Sequence, residues 1–495
     1  MIAGGFFRLL AAIFSMGYGW HDDQFLIIEI AQSWVDGIDY YSWLPSADGV
    51  NQPEGFSFFY VGLHYILFTF LELIGIYDPQ TKMLIVRLLH AIWSMLIIHF
   101  GFKITLLLSN ISDAKLVGWI LALFWIFPMI SVRNLVEYVS IPLILYGIWI
   151  ILKSIDNSKF SVWLFAGIIL GLAFNIRFQT FLITGAIGLV ILIHNKWKSA
   201  IFLGLGVLLT IIVFQGGIDY LAWGKPFVQL IEYVEYNMHN AALYVVSPWY
   251  TYILFLAGIL IPPVSLFLFA GFFSRWRKNL ILFLPILIFL IFHSYYPNKQ
   301  ERFVITIMPM LIIIGIIGWQ YLRNKYLTGR IPRNLVTASW IFFWLINFVL
   351  LLPVSVMYSK QARVESMCYM AKYGDINNFV IEDINKTILR FPPQFYLQNW
   401  YQYKTLMKDD NFYVFAKNNS FSHVSEQPGF ILFYQPDNID QRVNHMKTVY
   451  PDLEFEIVFE PGFMDRLLFW LNPINDNQNI YLYRNKSVLP NKIEY

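Results

Sequence analysis

The sequence predicts an all-α polytopic membrane protein that carries a small α/β domain outside the membrane. Of its 495 residues, 57% are hydrophobic and 14% are charged, which is too little charge to cover a soluble protein of this length. The apolar residues also form blocks about as long as a bilayer-spanning helix, near 116–132, 178–193, 250–273, 280–296, 303–320 and 334–357. The net charge of +3 gives no indication of nucleic-acid binding, and the one cysteine, Cys368, excludes an internal disulfide.

The first apolar run, Ile2 to Met16, resembles a signal peptide in its hydrophobicity. It lacks a clean small-x-small cleavage site, and Arg8 is the one basic residue before its end. We therefore interpret this run as a retained first span.

Basic residues in the connections predict the orientation of the spans. Cytoplasmic loops of membrane proteins contain an excess of lysine and arginine. In this chain such residues occur at Lys153 and Lys159, Lys196 and Lys198, Arg275 to Lys278, and Arg323 to Arg333. The intervening connections at 175–178, 215–249 and 297–302 then face outward. This pattern predicts about eleven spans, with the N-terminus inside and the C-terminus outside.

The stretch 56–76 is apolar enough to span, but no lysine or arginine lies between Arg8 and Lys82. A span there would reverse the side of every later loop. We therefore expect 56–76 to lie along the outer leaflet as an interfacial helix, within a first outer loop covering 20–82. Twelve spans with one weakly oriented loop is the alternative.

The composition becomes polar after Tyr358, which predicts a membrane domain at 1–359 and an outer α/β domain at 360–495. Short runs of β-branched and aromatic residues in the outer domain predict strands, at NFVIED, NFYVFAK, GFILFYQ, FEIVFE and NIYLYR.

Ionisable and polar side chains gather on the predicted outer face. The stretch GWHDDQF follows the first predicted span on this face and contains three such residues, His21, Asp22 and Asp23. Ionisable groups at the hydrocarbon edge are costly and are therefore functional candidates. The outer connections contain the others, namely Arg133, Glu137, Arg177, Asp219, Asn237, His293, Lys299, Glu301 and Arg302.

This combination suits glycosyl transfer from a lipid phosphate. Cations would stabilise the charge that develops on the phosphate leaving group. A carboxylate would deprotonate the acceptor hydroxyl, and an apolar groove would hold the lipid chain. With lysine and arginine at the phosphate, the reaction would need neither a metal nor another cofactor.

Two motifs resemble glycosyltransferase family 22, the polyprenyl-phosphate-mannose-dependent α-mannosyltransferases of the GT-C fold. The family motif His-Pro-Asp-Glu corresponds to His21-Asp22-Asp23-Gln24, and His-Lys-Glu-x-Arg-Phe corresponds to Asn298-Lys299-Gln300-Glu301-Arg302-Phe303. Looser matches in the same order extend the resemblance over about 15–310. The chain departs from the family at Gln24 and Gln300, where the family has glutamates.

The resemblance implies an inverting transfer with Asp23 as general base and Asp22 as the alternative. It implies that Lys299 and Arg302 bind the donor phosphate, with Arg177 and His293 as weaker candidates. The remaining candidates would position the substrates; they are His21, Arg133, Glu137, Asp219, Asn237 and Glu301. Structural alternatives stay open, because the aspartates could cap a helix and the cations could be interfacial anchors.

The implied partners are a polyprenyl-phosphate sugar, a glycan or lipid-linked acceptor, and membrane lipid. A bacterial inner membrane with the site facing the periplasm is the expected location, or the endoplasmic reticulum membrane for a eukaryotic protein. Three alternatives remain: a transferase for another lipid-linked sugar, a transporter or flippase of such a lipid, and a scaffold for an outer binding module. Transporters place charges at mid-membrane and contain inverted repeats, neither of which the sequence indicates.

Overall fold

A computed structural model describes residues 1–46, 49–156, 159–243, 246–327, 329–419, 426–473 and 477–492. Helices dominate it, as predicted. In chain order, the α-helices before the outer domain are Ile2–Phe14, His21–Asp23, Glu29–Val35, Phe58–Leu73, Pro79–Leu108, Ile111–Leu123, Phe127–Ser131, Val136–Val139, Ile141–Lys153, Phe160–Ile176, Thr180–Ile193, Trp197–Thr210, Gly217–Trp223, Val228–His239, Thr251–Ile259, Val264–Ser274, Leu280–Tyr295, Met308–Tyr326 and Arg330–Ser355. Wider π-helical turns at Gln24–Ile28 and Ile211–Gly216 and a 3-10 helix at Glu301–Ile307 join some of them.

Eleven of the described helical segments have at least ten residues and are strongly apolar. Five are long enough to cross a membrane, and they are Pro79–Leu108, Val136–Lys153, Trp197–Trp223, Glu301–Tyr326 and Arg330–Ser355. Six shorter ones have 10–17 residues, and one of these, Phe58–Leu73, occupies the stretch predicted to be interfacial. The number of spans and the placement of 56–76 stay predictions.

The chain divides into two compact units, and each is described by itself. The first comprises Met1–Ile13, Tyr41–Leu67 and Ile85–Val356. The second comprises Phe14–Tyr40, Phe68–Leu84 and Met357–Tyr495. The domain boundary predicted at 359/360 stays a prediction.

Small residues bring helices of the first unit close together. A Cβ atom on Gly167 would lie 2.0 Å from the carbonyl oxygen of Leu203, and one on Gly206 would lie 2.1 Å from that of Leu164. Neither position can accept a larger residue without separating the helices. Close backbone approach of this kind is how helices associate in lipid.

The predicted span at 116–132 is broken rather than continuous. The helix Ile111–Leu123 ends, and Phe127–Ser131 follows after an irregular turn. The buried side chain of Asn347 accepts a hydrogen bond from the Trp125 N–H (2.9 Å) and donates one to the Leu123 carbonyl (2.7 Å). Arg8 donates to the carbonyls of Ala122 (3.0 Å) and Leu121 (3.1 Å). These side chains satisfy backbone groups that water could not reach inside a membrane.

The predicted span at 250–273 is also broken, into Thr251–Ile259 and Val264–Ser274. The intervening stretch contains Pro262 and Pro263. Proline lacks the N–H that a continuing helix would use, which explains the interruption.

The second unit contains a five-stranded mixed sheet. Its strands are β1 (Phe379–Asp383), β2 (Lys404–Met407), β3 (Phe430–Tyr434), β4 (Leu453–Phe459) and β5 (Ile480–Asn485), in the order β2-β1-β3-β5-β4. Strand β1 is parallel to β2 and β3, whereas β5 is antiparallel to β3 and β4. The α-helices of this region are Gln361–Ala371, Phe412–Asn418, Ile439–Lys447 and Phe463–Leu471, and a 3-10 helix covers Gln394–Leu397.

Four of the five predicted strands are confirmed, and the one predicted at NFYVFAK is wrong. That segment forms the helix Phe412–Asn418, whose N-cap Asn411 accepts hydrogen bonds from the N–H groups of Tyr413 (2.9 Å) and Val414 (3.3 Å). An asparagine N-cap favours a helix by about 1 kcal/mol, which acts against the β propensity of the residues that follow it. The missed strand is β2, Lys404–Met407.

Candidate functional site

A buried carboxylate joins two arginines in the first unit. Glu137 lies in the short helix Val136–Val139, and Arg177 directly follows the helix Phe160–Ile176. Arg302 is the second residue of the 3-10 helix Glu301–Ile307. Nη1 of Arg177 lies 2.9 Å from Oε1 of Glu137, and Nε of Arg302 lies 3.5 Å from the same oxygen. The structure therefore brings together three candidates that lie far apart in the sequence.

Two positive charges share this one carboxylate, so the group has an excess of positive charge. The Nε and Nη2 atoms of Arg177 are buried without a hydrogen-bond partner among the described atoms. Its guanidinium lies over the Phe303 ring, 5.1 Å from the centroid, and that of Arg302 lies 5.7 Å away. Buried donors of this kind require an acceptor, and an anion would supply one.

Lys299 is committed to the protein backbone. Its Nζ atom donates to the carbonyl oxygens of His293 (3.2 Å), Ser294 (2.9 Å) and Tyr296 (2.5 Å). These three bonds use all the protons of an ammonium group, and burial lowers the pKa of Lys299. In this conformation Lys299 has no N–H left for a phosphate oxygen, and it acts by holding the turn that leads to Arg302.

An apolar groove of about 810 Å³ adjoins the arginines through Phe303. Two polar contacts cross its wall: the Gln179 amide donates to the Tyr233 hydroxyl, and the Tyr296 hydroxyl donates to the Asn237 carbonyl (2.6 Å). Such a groove suits a hydrocarbon chain. Its lining includes Phe174, Phe178, Phe181, Leu230, Val234 and Phe292.

His293 and Asn237 also line this groove. The His293 ring stacks on Phe289 at 4.0 Å, and its Nδ1 atom lies 2.9 Å from the Phe289 carbonyl. Asn237 donates to the Tyr233 carbonyl (2.7 Å). Both side chains are therefore held by backbone carbonyls of their own helices.

Asp219 lies in a closed network instead. Its side chain is fully buried, and its oxygens accept hydrogen bonds from the Gln215 amide (2.9 and 3.0 Å) and the Gln229 N–H (3.1 Å). The Ser57 hydroxyl donates to the other end of Gln215 (2.8 Å). These bonds tie the 215–229 region to residue 57. The predicted role of Asp219 in positioning a substrate stays a prediction.

Two further candidates differ in exposure. Arg133 is buried, with 3% of its surface exposed, whereas Glu301 is exposed.

The beginning of the predicted first outer loop, up to Tyr40, belongs to the second unit. His21 is exposed, Asp22 is half-buried and Asp23 is buried. One Asp23 oxygen accepts from the Trp20 N–H (2.8 Å), and the other from the Gly19 N–H (3.3 Å). Asp23 thus bonds to the two residues that precede the helix His21–Asp23, and Asp22 is the more accessible carboxylate. Whether the aspartates act as base or only as caps stays a prediction.

Sequence reasoning missed Glu29, a fully buried carboxylate in the same loop. It accepts hydrogen bonds from the Gln24 amide (3.4 Å) and the Phe395 N–H (3.3 Å). The signal was present as an acidic residue within the apolar run FLIIEIA. Gln24, which replaces a family glutamate, is therefore the partner of a nearby acid.

Among the described residues, no group of three histidine, cysteine, aspartate or glutamate side chains is placed to hold a metal ion. That the reaction needs no metal or cofactor stays a prediction.

Comparison with known proteins places these features in context. The model of the Alg9-like mannosyltransferase family matches residues 7–401. Alpha-1,2-mannosyltransferase ALG9 of Mus musculus is 27% identical over 169 residues, covering 30% of this chain and 28% of that one. The Homo sapiens protein of the same name is 27% identical over 203 residues, covering 36% and 32%. The matched region thus spans about a third of these curated relatives.

Solved structures share the fold. ArnT from Cupriavidus metallidurans in the apo state aligns over 99% of this chain and 97% of its own, with a TM-score of 0.62 and 12% identity. The same protein bound to undecaprenyl phosphate aligns over 97% of both chains, with a TM-score of 0.59 and 12% identity. The Archaeoglobus fulgidus oligosaccharyltransferase aligns over 88% of this chain and 67% of its own, with a TM-score of 0.52 and 11% identity. The predicted fold class is confirmed.

Proposed function

Because the chain belongs to the Alg9-like mannosyltransferase family, we propose that it transfers mannose from a polyprenyl-phosphate donor to a glycan or lipid-linked acceptor. The names of the mouse and human relatives support the sugar. The ArnT structure that contains undecaprenyl phosphate supports a lipid phosphate as the carrier.

The observation that carries the proposal is the position of Arg177. Its unpartnered Nε and Nη2 atoms lie beside Phe303, which lines the apolar groove. A polyprenyl-phosphate donor combines an anion with a long hydrocarbon chain, so one molecule would satisfy both features. Guanidinium groups bind phosphate oxygens with paired hydrogen bonds. Arg177 and Arg302 are therefore the proposed phosphate ligands, and Lys299 is a positioning residue.

The reaction would be a single displacement with inversion at the anomeric carbon. The acceptor hydroxyl oxygen forms the new glycosidic bond while the bond from that carbon to the phosphate oxygen breaks. The hydroxyl proton passes to a carboxylate, and the leaving polyprenyl phosphate keeps the electron pair and is stabilised by the arginines. Asp23 is the proposed base because it matches the family motif. Asp22 is its alternative because it is the more accessible of the two.

A second candidate keeps this chemistry and changes the donor sugar. The departures from the family motifs at Gln24 and Gln300 favour it, because both replace acidic residues. Gln300 accepts a hydrogen bond from Nε of Arg302 (2.8 Å). A glutamate at this position would form an ion pair with the same arginine. In either case the active face is proposed to be the outer one, the periplasmic or lumenal side.

The test is sugar transfer in membranes that contain the wild type or one variant, with a mixed pool of envelope glycans as acceptors. Radiolabelled polyprenyl-phosphate mannose is the donor in one series, and other radiolabelled polyprenyl-phosphate sugars are the donors in a second. Asp23→Asn, Asp22→Asn and Arg177→Gln are compared at equal protein level. Lys447→Gln is the control, because this lysine is exposed and lies in the helix Ile439–Lys447 of the second unit.

Loss of transfer in Arg177→Gln and in one aspartate variant, with Lys447→Gln active, supports the proposal and identifies the base. Transfer only from another polyprenyl-phosphate sugar supports the second candidate. If no lipid-phosphate sugar is a donor, or if both aspartate variants are as active as the wild type, the proposal is wrong.

A further inference from the structure

The helix Phe463–Leu471 of the second unit has its apolar side facing outward. The exposed fractions of Phe463, Trp470 and Leu471 are 69%, 77% and 64%. Leu467 is half-exposed on the same side, because positions i, i+4, i+7 and i+8 share one helical face.

The opposite side of this helix contains a carboxylate. Asp465 is 1% exposed. Its oxygens accept hydrogen bonds from the Gln361 N–H (3.3 Å) and the Asn477 amide (3.4 Å). A helix at a water-facing surface has the reverse arrangement, with apolar side chains inward and charges outward. The outward face of this helix is therefore built for an apolar environment.

The contacts of the helix indicate which environment that is. Its N-cap, Gly462, lies against Tyr358, such that a Cβ on Gly462 would be 3.1 Å from the Tyr358 carbonyl oxygen. Tyr358 comes three residues after the end of Arg330–Ser355, which is long and apolar enough to cross a membrane. The helix Phe463–Leu471 therefore begins beside residues that follow a long apolar helix closely along the chain.

The composition of the outward face also suits lipid. Tryptophan and phenylalanine are enriched where membrane meets water, and short helices with one apolar face and a cationic flank lie in that plane. Arg466, which is 60% exposed and 3.4 Å from Glu460, supplies the flank. We propose that Phe463–Leu471 inserts its face of Phe463, Leu467, Trp470 and Leu471 into the outer leaflet and holds the outer domain on the lipid surface.

Site-directed spin labelling in lipid nanodiscs tests this proposal directly. The chain has one cysteine, Cys368, so Cys368→Ser gives a background for single labels at Trp470→Cys and, separately, Phe463→Cys. Asn444→Cys is the control, because Asn444 is exposed on the helix Ile439–Lys447 of the same unit. Collision rates are measured with oxygen, which concentrates in lipid, and with a water-soluble nickel chelate.

The proposal predicts that oxygen relaxes the labels at 463 and 470 more than the chelate does, and that the order is reversed at 444. Chelate accessibility at 463 and 470 equal to that at 444 would overturn it. Spin–spin broadening at 463 and 470 that disappears when labelled protein is diluted with unlabelled protein in the same nanodiscs would instead assign the face to a second copy. Two labelled sites keep the result independent of either substitution.

Discussion

Nη1 of Arg177 lies 2.9 Å from Oε1 of Glu137, where 9% of the arginine side chain and none of the glutamate side chain is exposed. The pair connects the end of Phe160–Ile176 to the helix Val136–Val139. One carboxylate thus lies between two guanidinium groups, those of Arg177 and Arg302. It is thus both a structural link and a positioning residue for the proposed phosphate site.

Glu137→Gln should destabilise the protein, because it leaves two buried guanidinium groups without their carboxylate. Breaking a buried pair from one side costs about 3–5 kcal/mol, so the thermal midpoint in detergent should fall clearly. Glu460→Gln is the matched control, since Glu460 and Arg466 are 62% and 60% exposed and such a pair contributes about 0–1 kcal/mol. Equal midpoints for the two variants would contradict a central role for Glu137.

Arg177→Lys should lose activity with little loss of stability. Lysine keeps the charge beside Glu137 but removes the paired donors proposed for the phosphate, and loss of one such donor lowers the rate by about 10²–10³. Lys299→Met should behave differently, because it leaves three carbonyls without their donor and therefore lowers the thermal midpoint. Transfer rates and midpoints measured on both variants separate the roles. A fully active Arg177→Lys protein would remove Arg177 from the site.

Composition and sequence pattern were sufficient to predict the mainly helical fold and the small C-terminal sheet, because long apolar blocks and alternating strands are local features. The helix at Phe412–Asn418 was missed because its aromatic alternation resembles a strand, and Asn411 determines the outcome through two backbone hydrogen bonds. The break after Leu123 was missed for another reason. Its partners, Arg8 and Asn347, are distant in sequence and come together only in the fold.

The candidate site was predictable in its residue types and less so in their roles. Arg177, Arg302 and Glu137 were identified as outer polar residues, and the structure joins them. The sequence could not reveal that Lys299 is bound to three carbonyls or that Asp219 lies in a buried amide network. Such roles depend on which neighbours the backbone presents, and residue type alone does not determine them.

Asn347→Leu should destabilise the broken helix. Leucine has similar bulk, but it leaves the Trp125 N–H and the Leu123 carbonyl without the partners that Asn347 provides. An unsatisfied buried polar group costs about 1–3 kcal/mol, and in a membrane no water replaces the bond. Thermal midpoints in detergent measure the effect. Ser339→Ala on the same helix is the control, since that exposed hydroxyl bonds within its own helix, and a loss there as large as in Asn347→Leu would refute the explanation.

Asp465 should make the stability of the protein depend on pH. Burial raises its pKa, against the opposing effects of the Gln361 N–H and the charges of Lys360 and Arg363. The folded state then binds the proton more tightly than the unfolded state, in which the aspartate has a pKa of about 3.9. Stability from this group is therefore greatest below that pH and falls as the pH rises through the raised pKa of the folded state. Asp465→Asn keeps an acceptor for Gln361 and cannot titrate. The thermal midpoint of the wild type relative to this variant should fall between acidic and neutral pH, and a relative midpoint that rises with pH would show that the charged partners outweigh burial.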